Sequence, residues 1–249
     1  MNHLFPPLLP KRDLKGPVLV VAAHPDDEVI ACGAMLCWHR EQGHGVTVIH
    51  MTDGAQGDPD QKFGDIKAVR RAEGREALAR LGVTDVRSMD LPDGELPEHL
   101  DDVTAHVEAA LRELQPRTVY SFFFTEAHRD HRAVSHAVVR AAGQLADDCR
   151  VLLFGVNQVV PGGTMFDVTG YMDKKQHALG AFESQLAYND FKEKILHRDH
   201  AATVNVEDPA VQYAELFSDL RPGELKHCLE QVEPAYRYLL GDEGSGRQG

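Results

Sequence analysis

Two short clusters hold the residues of this chain that could do chemistry. His24-Pro25-Asp26-Asp27-Glu28 offers one imidazole and three carboxylates in five residues, and Glu126-Ala127-His128-Arg129-Asp130-His131 offers two imidazoles and two more carboxylates. Two imidazoles and one carboxylate are a common catalytic zinc set that leaves a position for water. His24 and Asp27 lie three apart, so both can point to one centre where a strand turns into a helix. His131, opening a helix of its own, is placed to supply the third ligand. Zinc held this way lowers the pKa of its bound water from 15.7 towards about 7. Hydrolysis then needs a base for the water, a stabiliser for the oxyanion and an acid for the leaving amine. Asp26 and His128 are the groups left for these tasks. His136 falls about 140° round a helix from His131 and is excluded as a ligand. A plainer reading treats the acids as a helix start, where carboxylates satisfy free N–H groups and suit the helix dipole. That covers one or two of them, but not His24-Pro25 or the second group of imidazoles.

The elements that must position these clusters follow from periodicity. Val18 to Ala23 is a charge-free, Val-rich run that reads as a buried parallel strand (17–23), followed by an apolar helix (28–42) closed by Gly43. Further strands are expected at 46–51, 84–89, 119–125 and 151–156, with helices at 65–81, 99–114 and 131–146. This alternation predicts right-handed βαβ units: an α/β fold with a Rossmann-like, mostly parallel sheet flanked by helices. The site then lies at the carboxyl ends of the strands. On the 65–81 helix, Ile66, Val69, Ala77 and Leu81 share a face that also contains Arg70 and Glu73. Either these two form a buried ion pair or Arg70 serves a substrate. Residues 158–170 read as irregular, with Pro161-Gly162-Gly163 too weak a signal for a phosphate loop. Residues 171–182 and a stretch after Ser184-Gln185 read as helical, and 210–217 is the last clear element. The expected organisation is an N-terminal arm (1–16), one domain (17–240) and a flexible tail (241–249).

Lys and Arg total 26 against 39 Asp and Glu, a net charge of −13. Such a surface repels phosphate backbones, so nucleic acid is not an expected partner. Cys32, Cys37, Cys149 and Cys228 form no C-x-x-C pair and read as reduced fillers of a cytoplasmic protein. Residues 1–9 are broken by Pro6 and Pro7 and do not read as a signal peptide, and no window reaches the ~20 apolar residues of a membrane span. The composition leaves self-association into a homo-oligomer open.

Ala23-His24-Pro25-Asp26-Asp27-Glu28 resembles the signature of the zinc-dependent N-deacetylases of the LmbE-like and PIG-L family. The resemblance continues through Thr52-Asp53-Gly54, Arg70-Arg71-Ala72-Glu73, Leu91-Pro92-Asp93-Gly94, His128-Arg129-Asp130-His131, Ser184-Gln185 and Ala214-Glu215-Leu216-Phe217, over roughly residues 17–217. It implies Zn2+ on His24, Asp27 and His131, with Fe2+ or Co2+ as alternatives. Asp26 would be the general base, and His128, oriented by Asp130, would serve the oxyanion or the leaving amine. Arg70 and Asp93 match positions that contact substrate sugar. The implied substrate is a small-molecule amide, an N-acetylated amino sugar or its conjugate. Where some members carry a Tyr two residues before the first His of the second motif, this chain has Glu126. Three other readings compete: cleavage of a non-acetyl amide by the same residues, a non-catalytic sugar-binding protein on this scaffold, and a phospho-acceptor switch domain. The last has no use for His24 or the second cluster.

Overall fold

The computed structural model describes residues 6–160 and 163–240; the first five residues of the arm, Pro161-Gly162 and the 241–249 tail lie outside the described residues. β1 (Val18–Ala22) is buried along its whole length. So are β2 (Val46–Thr52) and β4 (Thr118–Phe122), while β5 (Arg150–Phe154) is buried past its first residue. Runs of β-branched and aromatic residues with no alternation suit strands covered on both faces. β3 (Asp85–Leu91) is the half-exposed edge.

With β6 (Thr164–Asp167) and β7 (Ala214–Leu220), seven strands among the described residues lie in the order β3-β2-β1-β4-β5-β7-β6. Val18 pairs in parallel with Val46 of β2 on one side and Thr118 of β4 on the other. The chain winds from β1 out to β3 and then returns to β4, so the winding reverses between β1 and β4. β7 runs antiparallel to both β5 and β6. β6 lies inside the stretch that reads as irregular in the sequence, because four residues beside a Pro-Gly-Gly carry little periodicity. It also captures part of the arm: Leu9 N–H donates to Met165 O at 2.9 Å, and Met165 N–H to Pro7 O at 2.8 Å.

The helices are α1 (Asp27–Glu41), α2 (Ile66–Arg80), α3 (Leu100–Leu114), α4 (Arg129–Ala141), α5 (Met172–Leu179), α6 (Glu183–Leu186), α7 (Phe191–Ala201) and α8 (Pro222–Leu240). α4 stops before its expected end and passes into a 3-10 turn at Ala142–Gln144. α8 extends past the last element expected from the sequence, where Pro234 breaks the helical pattern. In mid-α2, Gly74 lets the helix approach the site: a Cβ there would stand 3.0 Å from the Pro25 Cβ.

α1 is buried from Asp27 through His39, packed against β1 and β7 of the sheet and against α5. It is broken at Cys32, whose φ/ψ of −138°/18° is not helical. The backbone groups freed by the break find side chains. Ala34 and Met35 N–H each donate to the Glu215 carboxylate at 3.0 Å, and Arg198 Nη2 donates to Ile30 O at 2.8 Å. Lys175 Nζ, fully buried, joins Glu215 at 2.7 Å to Asp199 at 2.6 Å. Charges from α5, α7 and β7 thus hold the helix that begins at the site. All four cysteines are free thiols, three of them buried. Among the described residues no helix is long and apolar enough to cross a membrane.

Candidate active site

Both clusters arrive where the winding reverses, His24 to Asp27 after β1 and His128 to His131 after β4, the place where open α/β sheets bind ligands. The turn after β1 is made by Asp26, whose φ of 145° is a conformation that L residues seldom adopt and that costs about 1–3 kcal/mol. It divides the first cluster. Asp26 faces the cleft, Asp27 enters the first turn of α1, and Glu28 turns inward to stand 3.1 Å from His50 of β2.

Three donors then converge. His24 Nδ1 lies 3.3 Å from Asp27 Oδ2 and 3.3 Å from His131 Nε2, while His131 Nε2 lies 3.2 Å from Asp27 Oδ1. Ligands about 2.0–2.2 Å from a tetrahedral zinc stand roughly 3.3 Å apart, so these donors have the spacing of a zinc cradle. His24, His128 and His131 also offer nitrogens within 4.8 Å of one another, as do donors of His24, Asp93 and Asp130. Asp27 and His131 meet the Nδ1 side of His24, whereas Asp93 and Asp130 lie on the other nitrogen of its ring. Asp93 Oδ1 is 3.0 Å and Asp130 Oδ2 3.3 Å from His24 Nε2.

The carboxylate expected to orient His128 therefore orients His24. Asp130 is fixed by Gly94 N–H at 2.7 Å and Leu96 N–H at 3.0 Å, and it meets His128 only through its own backbone N–H, which donates to His128 Nδ1 at 3.2 Å. Asp93, expected as a sugar contact, borders the cleft but is also engaged by Gln56 N–H at 2.9 Å. The Arg70–Glu73 ion pair does not form. Arg70 Nη2 reaches Asp26 Oδ2 at 3.1 Å, and Arg70 also donates to Pro25 O and Gly54 O, each at 3.3 Å. Glu73 instead accepts from Ser184 N–H at 2.7 Å and Oγ at 2.6 Å, joining α2 to α6. Glu126, two residues before His128, is fully buried with Oε2 at 2.7 Å from His131 Nδ1. Its oxygens also accept from Val156 N–H at 2.9 Å and Asn157 N–H at 3.2 Å. Sequence reasoning gave Glu126 no task; its only signal was a carboxylate five residues before His131.

The electrostatics favour a cation at the convergence. Burial alone would lower the pKa of His24, but Asp130, Asp27 and Asp93 outweigh it and hold the imidazole well above its usual range. His131 is likewise raised against burial, by Asp27 and Glu126. Asp27 is held well below the carboxylate range: burial opposes this, and His131 and His24 prevail. Nitrogens that gather positive charge among ionised carboxylates fit a divalent ion, which takes the place of their protons. Asp26 behaves differently. Burial pushes its pKa up to about 6, with the Arg70 charge opposing. His128 is lowered by burial and by the charges of His24 and His131.

These groups line a cleft of about 550 Å³, walled by Val156 and Asn157 on one side and by Gln185, Tyr188, Asn189 and Lys194 on another. A separate, more apolar cavity of about 430 Å³ lies along Val159, Ala201 and Leu216 and contains none of the imidazoles.

The chain is an enzyme of the deacetylase class of amide hydrolases, as its relatives are, with imidazoles and carboxylates gathered at the winding reversal of its sheet. The chain belongs to the PIG-L family: the family described as GlcNAc-PI de-N-acetylase matches residues 19–142. A probable N-acetyl-alpha-D-glucosaminyl L-malate deacetylase 2 from Bacillus cereus is 30% identical over 213 residues, 80% of this chain and 94% of that protein. N,N'-diacetylchitobiose deacetylase from Pyrococcus horikoshii shares the fold at a TM-score of 0.75 and 23% identity, over 86% of this chain and 87% of its own. The fold also carries GalB, a 4-carboxy-2-hydroxymuconate hydratase from Pseudomonas putida, at a TM-score of 0.67 and 23% identity, over 82% of this chain and 95% of its own. Fold likeness alone therefore does not choose the reaction.

Proposed function

We propose that this chain is a zinc-dependent N-deacetylase that removes acetyl from an N-acetylglucosamine-type amino sugar or conjugate. The observation that carries the reading is the convergence of His24 Nδ1, His131 Nε2 and Asp27 within 3.3 Å, with Asp26 facing the same cleft. His24, Asp27 and His131 would hold the ion, a donor set that also accepts Fe2+ or Co2+. When bound, it supplies a water of lowered pKa and polarises the acyl oxygen.

The chain's own residues do the rest. Asp26, its pKa raised to about 6 but still ionised at neutral pH, takes a proton from the attacking water. Arg70 holds that carboxylate in place from 3.1 Å. His128 Nδ1 accepts the Asp130 N–H, which leaves the proton of the neutral ring on Nε2, free to donate to the developing oxyanion. The C–N bond then breaks and the nitrogen receives a proton from His128 or Asp26, leaving acetate and the free amine. Gln56, Asn157 and Gln185 line the cleft with amide groups suited to sugar hydroxyls, and the Lys194 ammonium suits an acidic aglycone such as a malyl group. We assign the reaction to one domain working in the cytoplasm, a reading supported by the four free thiols.

Release of free amine from a panel of N-acetylated monosaccharides, chitooligosaccharides, nucleotide sugars, and inositol and malate conjugates tests this, after chelation and again after zinc is restored. Zinc-restored release from one class is the expected result. Bound zinc with no amine released from any acetylated sugar would overturn the acetyl reading in favour of a different amide, or of a hydration like that of GalB.

A further inference from the structure

Glu126 is a buried carboxylate that the proposed reaction does not use, and its two oxygens contact both His131 and the wall of the cleft. Oε2 lies 2.7 Å from His131 Nδ1. Oε1 accepts the Val156 N–H at 2.9 Å and the Asn157 N–H at 3.2 Å, and Asn157 Nδ2 reaches Oε2 at 3.3 Å. The His131 ring is stacked on Phe122 with centroids 4.1 Å apart, so its plane is fixed and only the placement of its proton remains to be set. Both Glu126 oxygens already accept N–H groups from Val156 and Asn157, so the carboxylate is an acceptor here and the facing His131 nitrogen is the donor. From these contacts we infer that Glu126 is a positioning residue with two tasks. It holds the His131 proton on Nδ1, so that the Nε2 lone pair points at His24 and Asp27, and it ties the metal-facing imidazole to the Val156–Asn157 wall of the cleft.

The inference rests on the metal reading above and adds a residue to it. A phenol at this position would carry a proton of its own and could not accept from all these donors at once. The Glu126 side chain faces inward, towards His131.

The Glu126→Gln side chain has nearly the same shape but only one accepting oxygen. Its NH2 must face either His131 or the Val156 and Asn157 N–H groups, all of them donors. Removing an outer partner of a metal-binding His typically costs about 10–100-fold in affinity. The test measures zinc affinity of wild type, Glu126→Gln and Glu126→Asp by chelator competition, with circular dichroism to establish that each chain is folded. A loss of about 10–100-fold for Glu126→Gln is expected, with partial recovery in Glu126→Asp, which keeps the charge. Nitrogen NMR of the zinc-loaded wild type provides the second readout and needs no variant: His131 should carry its proton on Nδ1. A folded Glu126→Gln chain that binds zinc as tightly as wild type overturns the assignment, as does a His131 proton on Nε2. A wild-type chain that binds no divalent ion overturns the metal reading itself, and the two failures are thereby distinguished.

Discussion

Asp26 has a different environment from the carboxylates around it. Asp27, Asp93 and Asp130 each touch an imidazole, whereas Asp26 touches Arg70 and the cleft. Asp26→Asn should therefore cost roughly 10²–10⁴-fold in kcat, the usual worth of a positioned base, with zinc stoichiometry unchanged. A variant that loses zinc together with turnover would make Asp26 a ligand instead. Arg70→Met should leave the Asp26 carboxylate without its cation and its fixed orientation, lowering kcat by about tenfold or more while the fold persists. Unchanged kcat in a folded Arg70→Met chain would show that Arg70 serves binding alone. At this scale the sequence was informative about which residues gather and less so about who faces whom. His24, Asp27 and His131 sit at element ends whose positions follow from hydrophobic runs, so their meeting could be foreseen. The partners of Asp93, Asp130 and Glu126 depend on how the loops at 93–96 and 156–157 fold back, and loop paths leave no periodic trace.

The elements show the same division. β1, β2, β4 and β5 were legible because each is an apolar run that begins and ends abruptly. β6 and α8 were not, one being four residues long and the other interrupted by Pro234. The break in α1 could not be read at all, since Glu215 lies 181 residues from the Ala34 N–H that it satisfies. Removing one partner of a buried charge network leaves the others uncompensated, so Lys175→Met should lose about 3–5 kcal/mol in urea unfolding. A loss under about 1 kcal/mol would mean that the network is not needed to hold α1 together. The far end of α1 makes a pH-dependent contribution. His39, fully buried against the Tyr120 hydroxyl, has its pKa lowered to about 3, chiefly by burial and also by His44. Below its unfolded value of about 6.5 the unfolded chain takes up a proton that the folded chain refuses. This contribution is complete above about 6.5 and is lost as pH falls towards 3, at about 1.4 kcal/mol per unit at most. His39→Gln should flatten that slope in denaturant midpoints measured from pH 7 to 5, even if the variant is less stable throughout; an equal slope would contradict it.

Taken whole, the molecule carries a net charge of −13 and gathers Asp27, Asp93 and Asp130 around two imidazoles in its interior. An ion bound there couples to folding by mass action, about 2.7 kcal/mol at a hundredfold excess over Kd. The melting temperature should fall on chelation and return with zinc, and a chelation-insensitive melt would argue against a tightly held ion.

Every group assigned to the ion or to proton transfer comes from the stretch between His24 and His131, inside the 19–142 span that marks the family. Gln185, Tyr188, Asn189 and Lys194, which close the cleft, come from a later stretch that reaches the site through α6 and α7. The ion-facing groups and this wall of the cleft are therefore carried on separate lengths of chain, with Gln56 the lining amide that shares the first. A lineage built this way can exchange the conjugates it recognises by rewriting the side chains of Gln185, Tyr188, Asn189 and Lys194 while the groups between His24 and His131 pass on unchanged.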